Sequence, residues 1–365
     1  MVATPLGRAV VGCVGVLALT ALAGCGSAAT PPPSSATPSS SASPAPTSSA
    51  SGPRAVVLVS GLATQTPFTT SGLACTEGLS AGNSVSALRD TLVQTGEQVF
   101  SAPAQIGAGP VASTTGVGES AQCPESVGAR MTIDTTADID AGGIRLARFI
   151  RYLHRQYQVE VVDLVGHSMG GLFARAATGR LRQSSAPVSV RSLTTLSTPW
   201  TGTFPADYAA GDLPLTVCGS EAMCQEVLTD YKAKLADVEG PDGAANVITT
   251  AELQGRRGWN RQQGGDLAGI PVTLIGGDHY QLTGGASSVW PNDAVVAEAR
   301  ALARGISGQE LKVRACLVRP DVHTIGIAEQ AGLPWADAIT WDPEVLAAVR
   351  EAVRPGAGPG DRTDC

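Results

Sequence analysis

The stretch Val161-Val162-Asp163-Leu164-Val165-Gly166-His167-Ser168-Met169-Gly170-Gly171 is an apolar run that stops at a glycine, sets one serine between bulky neighbours and continues into two more glycines. Val159–Val165 reads as a buried strand, and Gly170–Leu181 reads as a helix. Gly166 and Gly170 lie two residues either side of Ser168, so no Cβ intrudes where strand and helix nearly touch, and the chain can turn sharply. A serine in so tight a turn is exposed at the C-terminal edge of a sheet, at the positive end of a helix dipole. The competing reading is a glycine-rich turn with an idle serine. The conjunction of strand, Gly-x-Ser-x-Gly, Gly171 and helix outweighs it.

Working outward, Arg54–Ser60 is a short β-branched run ending at Gly61 and reads as a buried strand. Ser84–Gly96 has helical spacing through Val85, Leu88, Leu92 and Val93, and Gln98–Ser101 reads as a strand. Asp138–Tyr157 is an amphipathic helix with Leu146, Ile150, Leu153 and Tyr157 on one face. Val188–Leu196, Pro271–Gly276 and Leu311–Val318 are further strands, and Ala294–Arg304 and Pro343–Val353 further helices. Residues 64–83 and 107–126 read as loops, and no internal repeat is visible. Strands alternating with amphipathic helices predict an α/β fold, a mostly parallel central sheet with helices on both faces. Residues 201–269 break the alternation and read as an insertion.

The form Gly166-His167-Ser168-Met169-Gly170-Gly171 resembles the α/β-hydrolase superfamily, and within it the secreted bacterial lipases and esterases. The resemblance runs from Ala55 to the C-terminus in order of elements. It is strongest at Leu164–Ala174, with a partial second match at Ser197-Thr198-Pro199-Trp200-Thr201-Gly202, where serine and tryptophan replace the family's glycine and histidine. It implies the α/β-hydrolase fold, a cap-like insertion at 201–269 and a serine nucleophile, Ser168. Such a hydroxyl needs a base to take its proton and an acid to orient that base, in the chain order Ser, Asp or Glu, His. Of four histidines, His154 precedes the serine and His167 adjoins it. His323, in the loop after the Leu311–Val318 strand, is preferred to His279. For the acid, Trp290-Pro291-Asn292-Asp293-Ala294-Val295-Val296 resembles the lipase pattern Ser-Asp-Gly-Val-Val. That makes Asp293 the candidate, with Asp278 the alternative; Asp321 stands too near His323 in sequence to reach its ring. The oxyanion hole is expected from the backbone N–H groups of Met169 and, in Ser60-Gly61-Leu62, of Leu62.

The N-terminus reads as an address. Met1–Arg8 carries one positive charge, and Ala9–Leu22 is too short an apolar run to span a bilayer comfortably. Leu22-Ala23-Gly24-Cys25 resembles a lipobox, which implies a signal peptide at 1–25 and lipidation of Cys25; plain secretion is the alternative. Residues 26–53 are nearly all Ser, Ala, Pro, Thr and Gly and form a disordered tether, leaving 54–365 as the folded domain. Cys75, Cys123, Cys218, Cys224, Cys316 and Cys365 are even in number and suggest three disulfides in an exported chain. Proximity pairs them 75–123, 218–224 and 316–365. No Cys-x-x-Cys spacing supports a metal.

Net charge is −7 with sequence pI near 5.2. With no basic stripe, a nucleic-acid partner is excluded. The bias of 22 Arg over 3 Lys reflects nucleotide composition. The expected activity is carboxylic-ester hydrolysis through an acyl-enzyme, on a lipid or small ester, without metal or organic cofactor. Membrane association is expected through the N-terminal lipid, and a monomer is expected. An envelope acyltransferase using the same acyl-enzyme, and a non-catalytic binding lipoprotein, are the alternatives.

Overall fold

β1 (Arg54–Val59) is buried on both faces. Ala55, Val57 and Val59 enter one apolar core, while Val56 and Leu58 enter another. A strand apolar on both sides belongs inside a sheet covered twice, and the computed structural model shows that sheet. The structure describes residues 52–70, 85–111, 127–238, 248–308 and 310–355. After β1 come β2 (Thr69–Thr70), α1 (Ser86–Val93), β3 (Val99–Ser101), β4 (Ala104–Gln105) and β5 (Ile133–Asp134). Next are α2 (Ile139–Tyr157), β6 (Val161–His167), α3 (Gly170–Gln183), β7 (Ser189–Leu196), α4 (Phe204–Ala210) and α5 (Ala222–Val238). The chain continues through α6 (Thr250–Gln254), α7 (Trp259–Gln262), β8 (Val272–Gly277), α8 (Glu298–Ala301), β9 (Val313–Arg319), α9 (Ile325–Gln330) and α10 (Pro343–Val353).

The main sheet has seven strands in the order β2-β3-β1-β6-β7-β8-β9. Every pairing in it is parallel except that of β2 with β3. The chain enters mid-sheet at β1, steps outward to β3, then crosses back to β6 on the far side of β1. Strand order therefore reverses between β1 and β6. The segments leaving the carboxyl ends of these two strands, Ser60-Gly61-Leu62 and Ser168-Met169, border one crevice.

The two faces are covered as the apolar spacing predicts. Leu146, Phe149, Ile150 and Leu153 of α2, with Leu172, Phe173 and Ala176 of α3, join Val57, Val59, Val162 and Leu164 in one core. On the other face Leu88 and Leu92 of α1, with Val345, Val349 and Val353 of α10, pack on Val56, Leu58, Val165 and Ile275. Each such side chain stabilises the fold by roughly 1.5–3 kcal/mol through burial. Asp163 is the exception in β6, a fully buried carboxylate. It is matched by Arg191 at 2.9 Å, Arg54 at 3.3 Å and the Ser192 hydroxyl, which ties β1, β6 and β7 together.

The insertion at 201–269 has two parts with different supports. Phe204, Cys218, Cys224 and Leu228 form a small core with Val289 and Trp290, and the Trp290 indole donates to the Val217 carbonyl at 2.9 Å. Cys218 and Cys224 form a disulfide there. Farther along, Asn260 accepts from the buried Arg175 of α3 at 2.7 Å. That guanidinium lies 5.7 Å from the Trp200 ring and 5.3 Å from the Trp259 ring. Cation–π contact in a desolvated site thus fastens the second part to the helix that follows Ser168.

Some elements differ from the sequence reading. The helix expected at Ala294–Arg304 is confined to Glu298–Ala301. The Asp293 carboxylate takes the N–H groups of Val295 and Val296, and Ala294 has φ +84°, so this backbone is committed to a turn. α9 forms within what reads as loop, and β4 and β5 make a separate two-stranded ladder. Cys316 is disulfide-bonded, with its partner outside the described residues. Cys25, Cys75, Cys123 and Cys365, together with residues 1–25 that read as a signal peptide and most of the 26–53 stretch that reads as a tether, also lie outside them. Among the described residues no helix is long and apolar enough to cross a membrane.

Candidate active site

β6 ends at His167, and Ser168 sits at φ +54°, a left-handed conformation costly to a residue with a Cβ. The turn is held by the Ser168 N–H donating to the Leu196 carbonyl at 2.9 Å. The Ser168 carbonyl accepts from the Thr198 hydroxyl at 2.8 Å. Sterics explain the flanking glycines. A methyl group on Gly166 would lie 2.5 Å from the Gly171 nitrogen, and one on Gly170 would lie 2.2 Å from the Val59 carbonyl oxygen. Two strands and a helix therefore converge backbone to backbone, leaving Ser168 partly exposed while His167 and Met169 are buried.

The loop after β1 passes directly beside this turn. A Cβ on Gly61 would stand 2.7 Å from the Ser168 Cβ and 3.0 Å from the Met169 nitrogen. Among the described residues the Leu62 and Met169 N–H groups have no acceptor. Met169 directly follows Ser168, and Gly61, the residue before Leu62, touches the same turn, so both N–H groups belong to segments that border the serine.

Asp293 and His323 come together where β8 and β9 end. A Cβ on Gly277 would lie 2.8 Å from the Asp293 Cβ and 2.4 Å from the Asp321 carbonyl oxygen, so the two loops converge on the end of β8. The His323 Nδ1 lies 2.7 Å from Asp293 Oδ2, and the His323 N–H donates to the Asp293 carbonyl at 2.8 Å. The other carboxylate oxygen accepts from Val295 at 2.9 Å and Val296 at 2.7 Å. Burial pushes the fully buried Asp293 carboxyl upward, but attraction to His323 and these hydrogen bonds outweigh it and hold the group below its ordinary value. An ionised carboxylate accepts from the ring, so Nδ1 carries a hydrogen and Nε2 is the ring nitrogen not engaged by Asp293. The buried Ser197 hydroxyl, on a residue with φ +45°, adjoins Asp293 without completing a hydrogen bond. Among the described residues no hydrogen bond joins Ser168 Oγ to His323.

The remaining candidates are placed elsewhere. His154 Nδ1 meets the Val159 carbonyl at 2.9 Å, closing the C-terminal end of α2, and His279 Nδ1 meets the Pro320 carbonyl at 3.1 Å. Asp278 contacts Gln281, and burial raises its carboxyl. Asp321 faces Asp342 rather than the His323 ring. Burial, then Asp342, push its carboxyl up to about 8, while Arg319 bonds Asp342 at 2.8 Å. His167 was legible only as the serine's neighbour, yet its Nε2 lies 3.0 Å from the His323 carbonyl oxygen. Among the described residues no group of three His, Cys, Asp or Glu side chains could hold a metal.

The strand order places a left-handed serine after the central strand β6 and a histidine–aspartate pair in the loops that follow β8 and β9. The chain has the α/β-hydrolase fold. Residues 126–211 match the family described as "Putative serine esterase (DUF676)". No curated protein matches the chain. Among solved structures, the chain is similar to the mature lipase BlEst2 of Bacillus licheniformis at 13% identity, with TM-score 0.41 over 76% of this chain and 89% of that one. It is similar to a thermophilic esterase from Thermogutta terrifontis at 14% identity, with TM-score 0.40 over 82% and 88%. A monoacylglycerol lipase of Paleococcus ferrophilus matches at 15% identity, with TM-score 0.39 over 81% and 92%.

Proposed function

We propose that this α/β-hydrolase cleaves carboxylic esters, with Ser168 as nucleophile, His323 as general base and Asp293 as the acid that orients it. The observation that carries the reading is the 2.7 Å contact between Asp293 Oδ2 and His323 Nδ1, beside a serine forced to φ +54°. His323 Nε2 accepts the Ser168 proton as Oγ attacks the ester carbonyl, and the buried Asp293 steadies the imidazolium. The Leu62 and Met169 N–H groups receive the developing oxyanion, each worth about 3 kcal/mol of transition-state stabilisation. His323 then protonates the leaving alcohol, and a water activated by the same nitrogen releases the acid. The esterase description of the family matched at 126–211, which contains the nucleophile turn, supports this chemistry.

The part of the insertion carrying the Cys218–Cys224 disulfide packs on Val289 and Trp290, four and three residues before Asp293, so it is the proposed selector of acyl group. Export and a lipid on Cys25 complete the proposal, supported by the N-terminal sequence pattern. A panel of p-nitrophenyl esters, with Ser168→Ala as control and a fluorophosphonate probe, tests the chemistry. Turnover and labelling in the wild type, both lost in the variant, are expected; labelling that persists in Ser168→Ala would overturn the assignment. Product analysis with an added alcohol separates hydrolysis from acyl transfer. Detergent-phase partitioning of the full chain against Cys25→Ser tests the anchor.

A further inference from the structure

His167 is buried, and the mechanism above gives it no role. It is the last residue of β6, directly before the nucleophile, and its ring lies 4.8 Å from that of His323, centroid to centroid. Its Nε2 is 3.0 Å from the His323 carbonyl oxygen. A carbonyl only accepts, so this nitrogen carries the hydrogen and donates; its Nδ1 has no partner. His323 itself is held from the acid's side, by its N–H on the Asp293 carbonyl and its ring on the Asp293 carboxylate, while the preceding Val322 bonds Asp337 and Ile339. The His167 bond adds a direct tie between the strand that presents the serine and the residue that presents the imidazole.

We propose that His167 is a positioning residue for the catalytic base: its Nε2–H grips the His323 backbone so that the imidazole stays aimed at Ser168. This rests on the ester-hydrolase reading. Neutrality suits the role, because a second cation 4.8 Å from His323 would oppose formation of the imidazolium. Burial, and after it His323, lower the His167 ring to about 3, so it stays uncharged at neutral pH. Phenylalanine keeps the ring and removes the donor. Glutamine places an amide N–H where imidazole Nε2 stood.

The test compares kcat and KM of wild type, His167→Phe and His167→Gln on a soluble p-nitrophenyl ester. Thermal melting of each variant and the low-field NMR proton of the Asp293–His323 bond are recorded alongside. His167→Phe should lose kcat on the order of 10²-fold, as expected for a base misplaced by about 1 Å, with KM nearly unchanged. His167→Gln should recover most of that rate. A folded Phe variant with wild-type kcat, or a Gln variant no better than Phe, overturns the proposal. If His167→Phe does not fold, His167→Leu against His167→Gln decides in the same way. If the wild type turns over no ester, the hydrolase reading fails by itself. The low-field proton then decides: altered in Phe and restored in Gln supports positioning, and unchanged in Phe refutes it.

Discussion

Substituting Gly61 by alanine adds one methyl group at the point where the β1 loop meets the nucleophile turn. Gly61 is not among the glycines of positive φ, so alanine carries no backbone penalty there and the effect is steric. The added carbon would stand 2.7 Å from the Ser168 Cβ, 2.9 Å from the His167 carbonyl oxygen and 3.0 Å from the Met169 nitrogen. Carbon–carbon contact is optimal at about 3.5–4.0 Å, so loop and turn must separate by close to 1 Å. That shift moves the Leu62 and Met169 donors apart and crowds the space an oxyanion would take. Misplacement of this size, or loss of one donor, each removes about 10²–10³ in rate. Overpacking should cost about 1–3 kcal/mol of stability, a loss this domain survives. The expected result is kcat on a p-nitrophenyl ester reduced by about 10²–10³ with modest change in KM, and a melting temperature only a few degrees lower. A Gly61→Ala enzyme within threefold of wild-type kcat would refute the placement of the oxyanion donors. A variant that no longer folds would refute the estimate of the local clash.

Asp293→Asn keeps the shape but offers its amide N–H to His323 Nδ1, forcing the proton onto Nε2; kcat should fall by about 10⁴, read by stopped-flow hydrolysis with circular dichroism confirming the fold. Asp321 titrates the other way from a stabilising carboxylate. Its folded value, about 8, lies above the unfolded value near 3.9, so the native state binds the extra proton between them and stability falls as pH rises through that window. Asp321→Asn should therefore raise the melting temperature most at pH 8 and little at pH 4, and an equal gain at both would show the pair does not share a proton. Asp207 meets the buried Arg300 at 2.9 Å and also accepts from Thr250. Asp207→Asn leaves that guanidinium uncompensated and should cost about 3–5 kcal/mol in urea denaturation; a loss below about 1 kcal/mol would contradict the burial of the pair.

Local patterning determined a great deal. The run of β-branched residues before Gly166 could only be a doubly covered strand, and the glycines at 166, 170 and 171 were dictated by contacts of 2.1–2.6 Å that any methyl there would make. Pro343–Val353 is a helix with the bounds its spacing predicts. Period and turn chemistry expose the strand, the turn and the helix, although the contacts that exclude a methyl at Gly170 and Gly171 come from Val59 and Thr198, far away in the chain. Resemblance to a lipase pattern nominated Asp293, and chain order with loop placement nominated His323. Their 2.7 Å contact depends on how far β8 and β9 extend and where their loops turn, which no local rule contains. At the shortened helix Glu298–Ala301 the preceding Val295 and Val296 N–H groups are taken by the Asp293 carboxylate, which also meets His323, a residue 30 positions on. The grip of His167 on a carbonyl 156 residues away and the pairing of Asp321 with Asp342 belong to the same class. Partners so distant in the chain meet only after the sheet has formed, because tertiary packing alone sets which buried polar group faces which.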